Sequence, residues 1–270
     1  MTGLANLLRF YFTNMKTAVV VEFQYRVAQY FYMIGMVTEP VIYLVVWSTI
    51  ANAQGGQVGG YTAGAFAAYY IVWTLVRNMN IVFTPYGWEW RIRQGQLAGM
   101  LMRPIHPLHF DISWFAGWKV VVILLWLPIA VVLTLAFKPV FAPTPLGIVT
   151  FLFAIWGAYL IRTMLLWLLG MLSFWTTRVS AIFELYFVLE LMLSGRLVPL
   201  SLMPNWVQAL AAYLPFKWAF GFPIESLVGN LSNAQLLSGL GMQALWIALG
   251  ALAVSAVWRL GVRQFTSVGN

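Results

Sequence analysis

The sequence predicts an all-α integral membrane protein. Of its 270 residues, 62% are hydrophobic and only 8% are charged, whereas about 25% of the residues in an ordinary soluble domain are charged. The mean hydropathy is +0.83. Six separate stretches are long and apolar enough to cross a bilayer as helices, which takes roughly 20 residues each. Their apolar runs are continuous, which argues against a barrel of alternating strands.

Residues 1–24 are predicted to form an interfacial helix. Large apolar side chains recur there at spacings of three and four, while the polar side chains lie mostly off that stripe, a pattern typical of a helix in the headgroup layer. The stripe consists of Leu4, Leu7, Leu8, Tyr11, Phe12, Met15 and Val19, and the polar residues are Arg9, Thr13, Asn14 and Lys16. The alternative is that the first span simply starts early.

The six predicted spans follow in order along the chain. They are Val27–Ala51, Thr62–Phe83, Trp114–Phe137, Leu146–Phe174, Val179–Leu197 and Leu236–Trp258. Lys and Arg residues accumulate on the cytoplasmic side of membrane proteins. Nine of them fall on the side that holds both termini (Arg9, Lys16, Arg26, Arg91, Arg93, Arg103, Arg178, Arg259 and Arg263), and three fall opposite (Lys138, Arg196 and Lys217). Both termini are therefore predicted to be cytoplasmic.

The net charge of +8 fits the excess of Lys and Arg on the cytoplasmic side, but it could also indicate a nucleic-acid partner. That function needs a clustered basic patch, and the basic residues here are spread one or two per segment. No nucleic-acid partner is therefore predicted. The chain has no cysteine, which excludes thiol catalysis and Cys-ligated metals. His106 and His109 lie three residues apart, but Pro107 between them argues against a shared helical face, and no metal site is predicted.

Two connections differ from simple loops. The cytoplasmic stretch 84–111 has 28 residues, which is long for a connection without a role. It begins with charged and aromatic residues typical of a short amphipathic helix, Gly95 permits a left-handed turn, and Pro104 and Pro107 favour an extended exit. This stretch is a candidate docking surface for a cytoplasmic partner.

The outer stretch 195–233 is too apolar for a solvated loop and too rich in proline for a span. It contains Gly195-Arg196-Leu197-Val198-Pro199, Met203-Pro204-Asn205-Trp206 and Leu214-Pro215-Phe216-Lys217-Trp218. Apolar segments of about 10–14 residues are typical of re-entrant or interfacial structure. We therefore expect short re-entrant half-helices between the fifth and sixth spans, one of them starting near Asn205.

These two stretches give the chain its resemblance to a known family. The resemblance rests on the N-terminal helix, the six spans, the proline-rich outer stretch and the loop ending in Leu101-Met102-Arg103-Pro104-Ile105-His106-Pro107-Leu108. By these features the chain resembles the permease subunit of ABC-2-type (type V) ABC exporters, in particular those of bacterial drug-efflux operons. The resemblance covers essentially the whole chain, as a single transmembrane domain 1–270. Its motifs are architectural, so they indicate the fold more specifically than the substrate.

The resemblance implies a division of labour. A separate ATPase, present in two copies, would bind ATP and Mg and drive two permeases, either identical or different, in the bacterial cytoplasmic (inner) membrane. This chain would bind no cofactor and would not be an enzyme, and it has no G-x-x-x-x-G-K-[ST] phosphate-binding loop. The stretch 84–111 would hold the helix that meets the ATPase. The implied ATPase-coupling residues are Trp88, Glu89, Arg91, Arg93, Gln94 and Gly95.

The charged residues Glu39, Glu184, Glu190, Arg77 and Arg162 fall inside the predicted spans. A charge facing lipid is costly, so each should face protein or water. They either form a polar substrate pathway that favours cationic or amphipathic molecules, or pair with one another or with a second permease. Glu184 and Glu190 are six residues apart, which places them on different helix faces.

An exporter permease that moves hydrophobic or amphipathic, drug-like molecules, cations among them, is therefore the expected function. A secondary transporter is the alternative, although no internal repeat with matched broken helices is seen. A membrane enzyme would need acids, histidines or a nucleophile gathered near one membrane face, and seven scattered acids and two histidines fit that poorly. An assembly or scaffold protein also remains open.

Overall fold

The protein, described by a computed structural model over residues 2–176, 179–229 and 231–265, is built almost entirely of helices. Arg178, which the sequence places on the cytoplasmic side, lies outside the described residues. A two-stranded antiparallel hairpin, β1 (Gln57–Val58) and β2 (Tyr61–Thr62), is inserted after the second helix. The helices are α1 (Thr2–Gln24), α2 (Arg26–Ala53), α3 (Ala63–Met79), α4 (Pro85–Arg93), α5 (Gln96–Leu101), α6 (Pro107–Phe137), α7 (Pro145–Met171), α8 (Ser180–Leu193), α9 (Asn205–Tyr213), α10 (Pro215–Ala219), α11 (Gly221–Val228) and α12 (Asn233–Val262).

Four helical segments of the described chain are long and apolar enough to cross a membrane. They are Val27–Ala53, Pro107–Phe137, Pro145–Phe174 and Asn233–Val262, and they correspond to the first, third, fourth and sixth predicted spans. The helix of the third predicted span begins at Pro107, seven residues before Trp114, because the His106 ring accepts a hydrogen bond from the Leu108 amide and Pro107 takes the first helical position. The last five residues of the predicted loop 84–111 therefore belong to α6.

The second and fifth predicted spans become shorter helices. The second predicted span corresponds to α3, which has 17 residues, about 25 Å at 1.5 Å per residue. The fifth corresponds to α8, which has 14. Every residue of α3 from Phe66 to Val76 is buried, and α2, α6, α7 and α11 pack around it. A helix that is apolar on all sides belongs in the interior, so α3 forms the centre of the main core.

The predicted N-terminal helix exists as α1, and one side of it packs along α6. Asn14 is buried there and donates hydrogen bonds to Ser113 Oγ at 2.6 Å and to the Phe110 carbonyl at 3.1 Å. Gly117 allows the close approach, because a Cβ at that position would lie 2.4 Å from the carbonyl oxygen of Met15. The apolar stripe is divided between two surfaces. Leu7, Tyr11, Met15 and Val19 are partly buried, while Leu4, Leu8 and Phe12 are exposed.

Short helices occupy the outer stretch 195–233, as the prolines predict. Helix α9 begins at Asn205 directly after Pro204, and α10 begins with Pro215. The non-helical backbone that precedes them is held by α3. The side chains of Tyr69, Tyr70 and Trp73 donate hydrogen bonds of 2.7, 3.0 and 2.9 Å to the carbonyls of Gly195, Leu197 and Arg196, respectively. Three successive carbonyls of an irregular segment are thus satisfied inside the protein.

Candidate functional site

Helix α4 is the structured part of the predicted coupling stretch. The Thr84 hydroxyl caps its N-terminus by accepting a hydrogen bond from the Gly87 amide at 3.2 Å, and Pro85 takes the first helical position. The helix ends at Arg93, and Gly95 follows with φ +69°, the left-handed conformation that its lack of a side chain permits. A second short helix, α5, which the sequence analysis did not anticipate, begins directly after that turn.

One face of α4 is anchored inside the protein. Trp88 is fully buried, with its ring centroid 4.4 Å from that of Trp167 and 6.0 Å from that of Trp258. Gly170 of α7 lies beneath it, and a Cβ there would come within 2.4 Å of the Trp88 side chain. Trp88 is therefore not part of the accessible surface of α4. It instead fixes α4 against α7 and α12.

Arg91 also points inward. Its guanidinium forms two hydrogen bonds of 2.8 Å with the Asp111 carboxylate and lies 3.5 Å from the centroid of the Phe83 ring. Trp167 Nε1 donates a further hydrogen bond of 3.1 Å to Asp111. Bidentate pairs of this kind are strong and directional. Arg91 therefore ties α4 to α6 and, through Asp111, to α7.

The opposite side, which we call the outward face of α4, consists of Tyr86, Glu89, Trp90, Arg93 and Gln94. Trp90 is 54% exposed and Tyr86 44%. Glu89 and Arg93 form an ion pair at 3.1 Å across one helical turn, and Gln94 is exposed at the end of the helix. Of the six coupling residues implied by the resemblance, Glu89, Arg93 and Gln94 lie here, Gly95 forms the adjoining turn, and Trp88 and Arg91 do not.

Four of the five predicted pathway residues, together with Arg196, form one network, which we call the charge chain. It links Arg77, Glu39, Arg196, Glu190 and Arg162 in that order. Arg77 contacts Glu39 at 2.7 Å, and Arg196 lies 4.0 Å from Glu39 and 3.8 Å from Glu190. Arg162 binds Glu190 through two hydrogen bonds of 2.8 and 2.9 Å. The chain joins α2, α3, α7 and α8 to the loop that follows α8.

The charge chain runs from a buried end to an accessible end. The Glu190 side chain is 1% exposed and that of Arg162 is 11% exposed, whereas Arg77 and Glu39 are 28% and 30% exposed. Three arginines against two glutamates leave the five residues with a formal charge of +1. Each carboxylate is already bound by an arginine, which favours the internal-pairing alternative over a free carboxylate pathway for cations.

Glu184 is the predicted pathway residue that the structure leaves apart. It is exposed on α8, whereas Glu190 on the same helix is buried, as the spacing of six residues predicts. Among the described residues, Glu184 forms no part of the charge chain.

Sequence reasoning missed Asp111 and Arg196. Asp111 follows Arg91 by 20 residues and sits in a stretch that was assigned to a loop, so the sequence carried no pairing signal. Arg196 was counted as an outer charge. One feature of the sequence does indicate that Arg196 is partly buried. It lies between Gly195 and an apolar run up to Pro199, whereas a solvated loop would be more polar.

The structure combines long apolar helices, as in a membrane protein, with one short helix that has a buried anchor and an accessible face. Comparison with protein families shows which family the chain belongs to. The family model described as ABC-2 family transporter protein matches residues 37–269, most of the chain.

The chain belongs to the ABC-2 transporter family.

As an ABC-2 family protein with four long apolar helices, the chain is a multi-pass membrane protein. Among curated proteins and among solved structures, nothing matches it. The matched range begins within α2 and includes α4, the charge chain and the short outer helices, while α1 precedes it.

Proposed function

We propose that this ABC-2 protein is the membrane-spanning permease subunit of an ATP-driven exporter and that a separate ATPase subunit docks on the outward face of α4. The observation that carries the proposal is the two-sided construction of α4. An exposed tryptophan, an exposed amide and a surface ion pair lie on one side, and a buried tryptophan and a bidentate ion pair lie on the other. Exposed aromatic side chains are frequent anchors of protein interfaces.

The inward contacts of α4 supply a mechanical connection. A displacement of α4 by a moving ATPase would pass through Trp88 to α7 and α12, and through Arg91 and Asp111 to α6 and α7. Packed helices and bidentate pairs transmit such displacements as rigid bodies. The permease itself would carry out no catalysis, because ATP and Mg would be bound by the ATPase.

The proposed assembly contains two ATPase subunits and two permeases, either two copies of this chain or this chain with a different permease. It would lie in the bacterial cytoplasmic membrane with both termini in the cytoplasm. Exposed apolar side chains along the long helices, such as Phe31 and Leu135 at 71% and 76% exposure, would face lipid or the second permease.

We further propose that α3 and α8 complete six membrane-crossing elements and that the outer stretch with α9, α10 and α11 is re-entrant. Irregular backbone at membrane depth is tolerated only where protein or water satisfies it. The carbonyls of residues 195–197 meet that condition, because aromatic side chains from the middle of α3 bind them.

The proposed substrates are hydrophobic or amphipathic small molecules of the kind removed in multidrug efflux. The occupied carboxylates and the +1 formal charge of the charge chain give no preference for cations. Its accessible end at Glu39 and Arg77 is where a polar part of a substrate would meet the chain, and the buried end at Arg162 and Glu190 would hold α7 to α8.

A single substitution tests the docking proposal. Trp90→Ala removes an exposed aromatic anchor from α4 without touching the buried contacts, so we expect it to reduce ATP hydrolysis by the purified permease–ATPase complex at least 10-fold. Trp206→Ala is the matched control, since Trp206 is 67% exposed on α9, on a different short helix. Equal activities of the two variants, with the permease still folded, would contradict docking at α4.

A further inference from the structure

A polar cavity of about 200 Å³ lies where the β-hairpin, α9, α10, α11 and the start of α12 meet. None of its lining residues belongs to α4 or to the charge chain. Most cavities between apolar helices are lined by apolar side chains, but here six of the eight lining residues are polar or charged. They are Tyr61, Ser201, Gln208, Lys217, Glu225 and Gln235.

The two charged residues of this cavity have opposite signs and do not neutralise each other directly. Glu225 is 8% exposed, and no ion pair involving it or Lys217 occurs among the described residues. The Lys217 ammonium instead lies 5.2 Å from the centroid of the Trp218 ring. A buried carboxylate costs free energy unless a cation or hydrogen-bond donors compensate it. Once Glu225 is ionised, the cavity therefore presents one anionic and one cationic group, each able to take a partner.

The amide side chains of the cavity add one further acceptor and one further donor. Gln208 donates hydrogen bonds from Nε2 to the carbonyls of Ser201 and Met203 at 3.2 and 2.8 Å, and Gln235 accepts one from the Ser232 amide through Oε1 at 2.9 Å. Among the described residues, Gln208 Oε1 and Gln235 Nε2 have no partner, so they can serve as an acceptor and a donor, respectively. An ammonium needs acceptors and an anionic oxygen needs donors, and the cavity supplies both kinds.

We propose that this cavity binds a small zwitterion, with the ammonium of the ligand paired to Glu225 and its anionic oxygen group paired to Lys217. Gln208 and Gln235 would provide the supporting hydrogen bonds. The ligand chemistry has two sources, a free zwitterion from the surrounding water or the headgroup of a zwitterionic lipid such as phosphatidylethanolamine. The inference does not depend on the proposed exporter function, because it concerns binding at a site remote from α4.

Binding to the full-length chain in a non-ionic detergent tests the proposal. The probes are O-phosphoethanolamine, which carries both charges, ethanolamine, which carries the cation alone, and methyl phosphate, which carries the anion alone. We expect O-phosphoethanolamine to bind at least 10-fold more tightly than either half, and Glu225→Gln or Lys217→Met to remove that advantage. Glu22→Gln and Lys16→Met on α1 are matched charge removals outside the cavity and should bind like the unmodified chain.

A lipid arm separates the two sources. The same variants are reconstituted into mixed phosphatidylethanolamine and phosphatidylglycerol nanodiscs, and native mass spectrometry counts the phosphatidylethanolamine retained. Retention that depends on both Glu225 and Lys217 assigns the site to a lipid headgroup. Binding of O-phosphoethanolamine without such retention assigns it to a free zwitterion. If neither ligand depends on both residues, or if one half-ligand binds as tightly as the zwitterion, the proposal is wrong.

Discussion

The Arg162 guanidinium links three helices at the buried end of the charge chain. It forms two hydrogen bonds with Glu190 and one with the Asn80 carbonyl just beyond the end of α3. The last carbonyls of a helix have no partner within it and carry partial negative charge, so a cation there is favourable. Tyr186 donates a further hydrogen bond of 3.2 Å to Glu190. One arginine thus holds α3, α7 and α8 together.

Removing the negative charge of Glu190 should therefore destabilise the protein. Glu190→Gln leaves Arg162 buried without its counter-ion, which typically costs about 3–5 kcal/mol. Thermal unfolding in detergent measures the effect, with Glu184→Gln on the exposed face of α8 as the control. The double variant Arg162→Met/Glu190→Met, which removes both charges, should recover much of the loss. An unchanged unfolding temperature for Glu190→Gln would contradict the pairing.

Glu225 makes stability depend on pH in a direction that can be worked out. Burial raises the pKa of this carboxyl group from 4.5 to about 7, with Lys217 opposing the shift. The folded state therefore holds the proton over a pH range where the unfolded state has lost it. The contribution of Glu225 to stability is therefore fully present below pH 4.5 and is lost as the pH rises through about 7, by up to about 3 kcal/mol.

The variant Glu225→Gln isolates this contribution. The difference in unfolding temperature between the variant and the unmodified chain should be small at pH 5 and should grow in favour of the variant by pH 8. Differential scanning fluorimetry at fixed ionic strength measures it. A difference that stays constant across this range would show that Glu225 does not titrate there.

At the scale of elements, α1 is held to the bundle by close backbone contact. The approach at Gly117 leaves no room for a methyl group, since a Cβ would lie 2.4 Å from the Met15 carbonyl oxygen. Backbone atoms cannot move aside as the end of a flexible side chain can. The amphipathic pattern predicts α1 as a helix but gives no information about this partner, because such a pattern defines only which face is apolar.

Two glycines in long helices allow a matched test of this contact. Gly117→Ala should destabilise the protein by about 1–3 kcal/mol and release α1. Gly241→Ala on α12, where nothing lies within 4 Å, should stabilise it by about 0.5–1 kcal/mol, because alanine is the better helix former. Thermal unfolding and limited proteolysis of α1 measure both effects. The contact is wrong if the two substitutions act in the same direction.

For helix α4, the sequence predicted the element but not its orientation. Mixed charged and aromatic residues before Gly95 were sufficient to predict a short helix and its left-handed end. Which tryptophan is buried depends on Trp167 and Trp258, which lie 79 and 170 residues from Trp88. Local periodicity over nine residues cannot encode such distant partners, and so Trp88 and Trp90 were indistinguishable before the structure.

At the scale of the whole molecule, hydropathy predicts the long helices well because each span must be apolar over its full length. The α3 and α8 segments are equally apolar, yet they form helices of 17 and 14 residues. The sequence could not separate these cases, since burial in protein and burial in lipid select the same residues. The sequence could not predict the charge chain either, because its members come from five separate segments of the chain.

The arrangement of the whole molecule separates the proposed docking helix α4 from the polar cavity beside α9 and α11. The buried face of α4 contacts the ends of α7 and α12 that contain Trp167 and Trp258, whereas the cavity lies beside the start of α12 at Gln235. In the proposed exporter, a movement that begins at α4 would reach the outer helices through the long helices α7 and α12.

The most direct test of the proposed function is photo-crosslinking in the native membrane. A photoreactive phenylalanine analogue is placed at position 90 on the outward face of α4 or, as the control, at the similarly exposed position 206 on α9, and the crosslinked products are identified by mass spectrometry. We predict that position 90 yields a crosslink to a soluble ATPase subunit and that position 206 does not. An ATPase crosslink from position 206 but not from position 90, or no ATPase crosslink at all from the folded protein, would contradict the account.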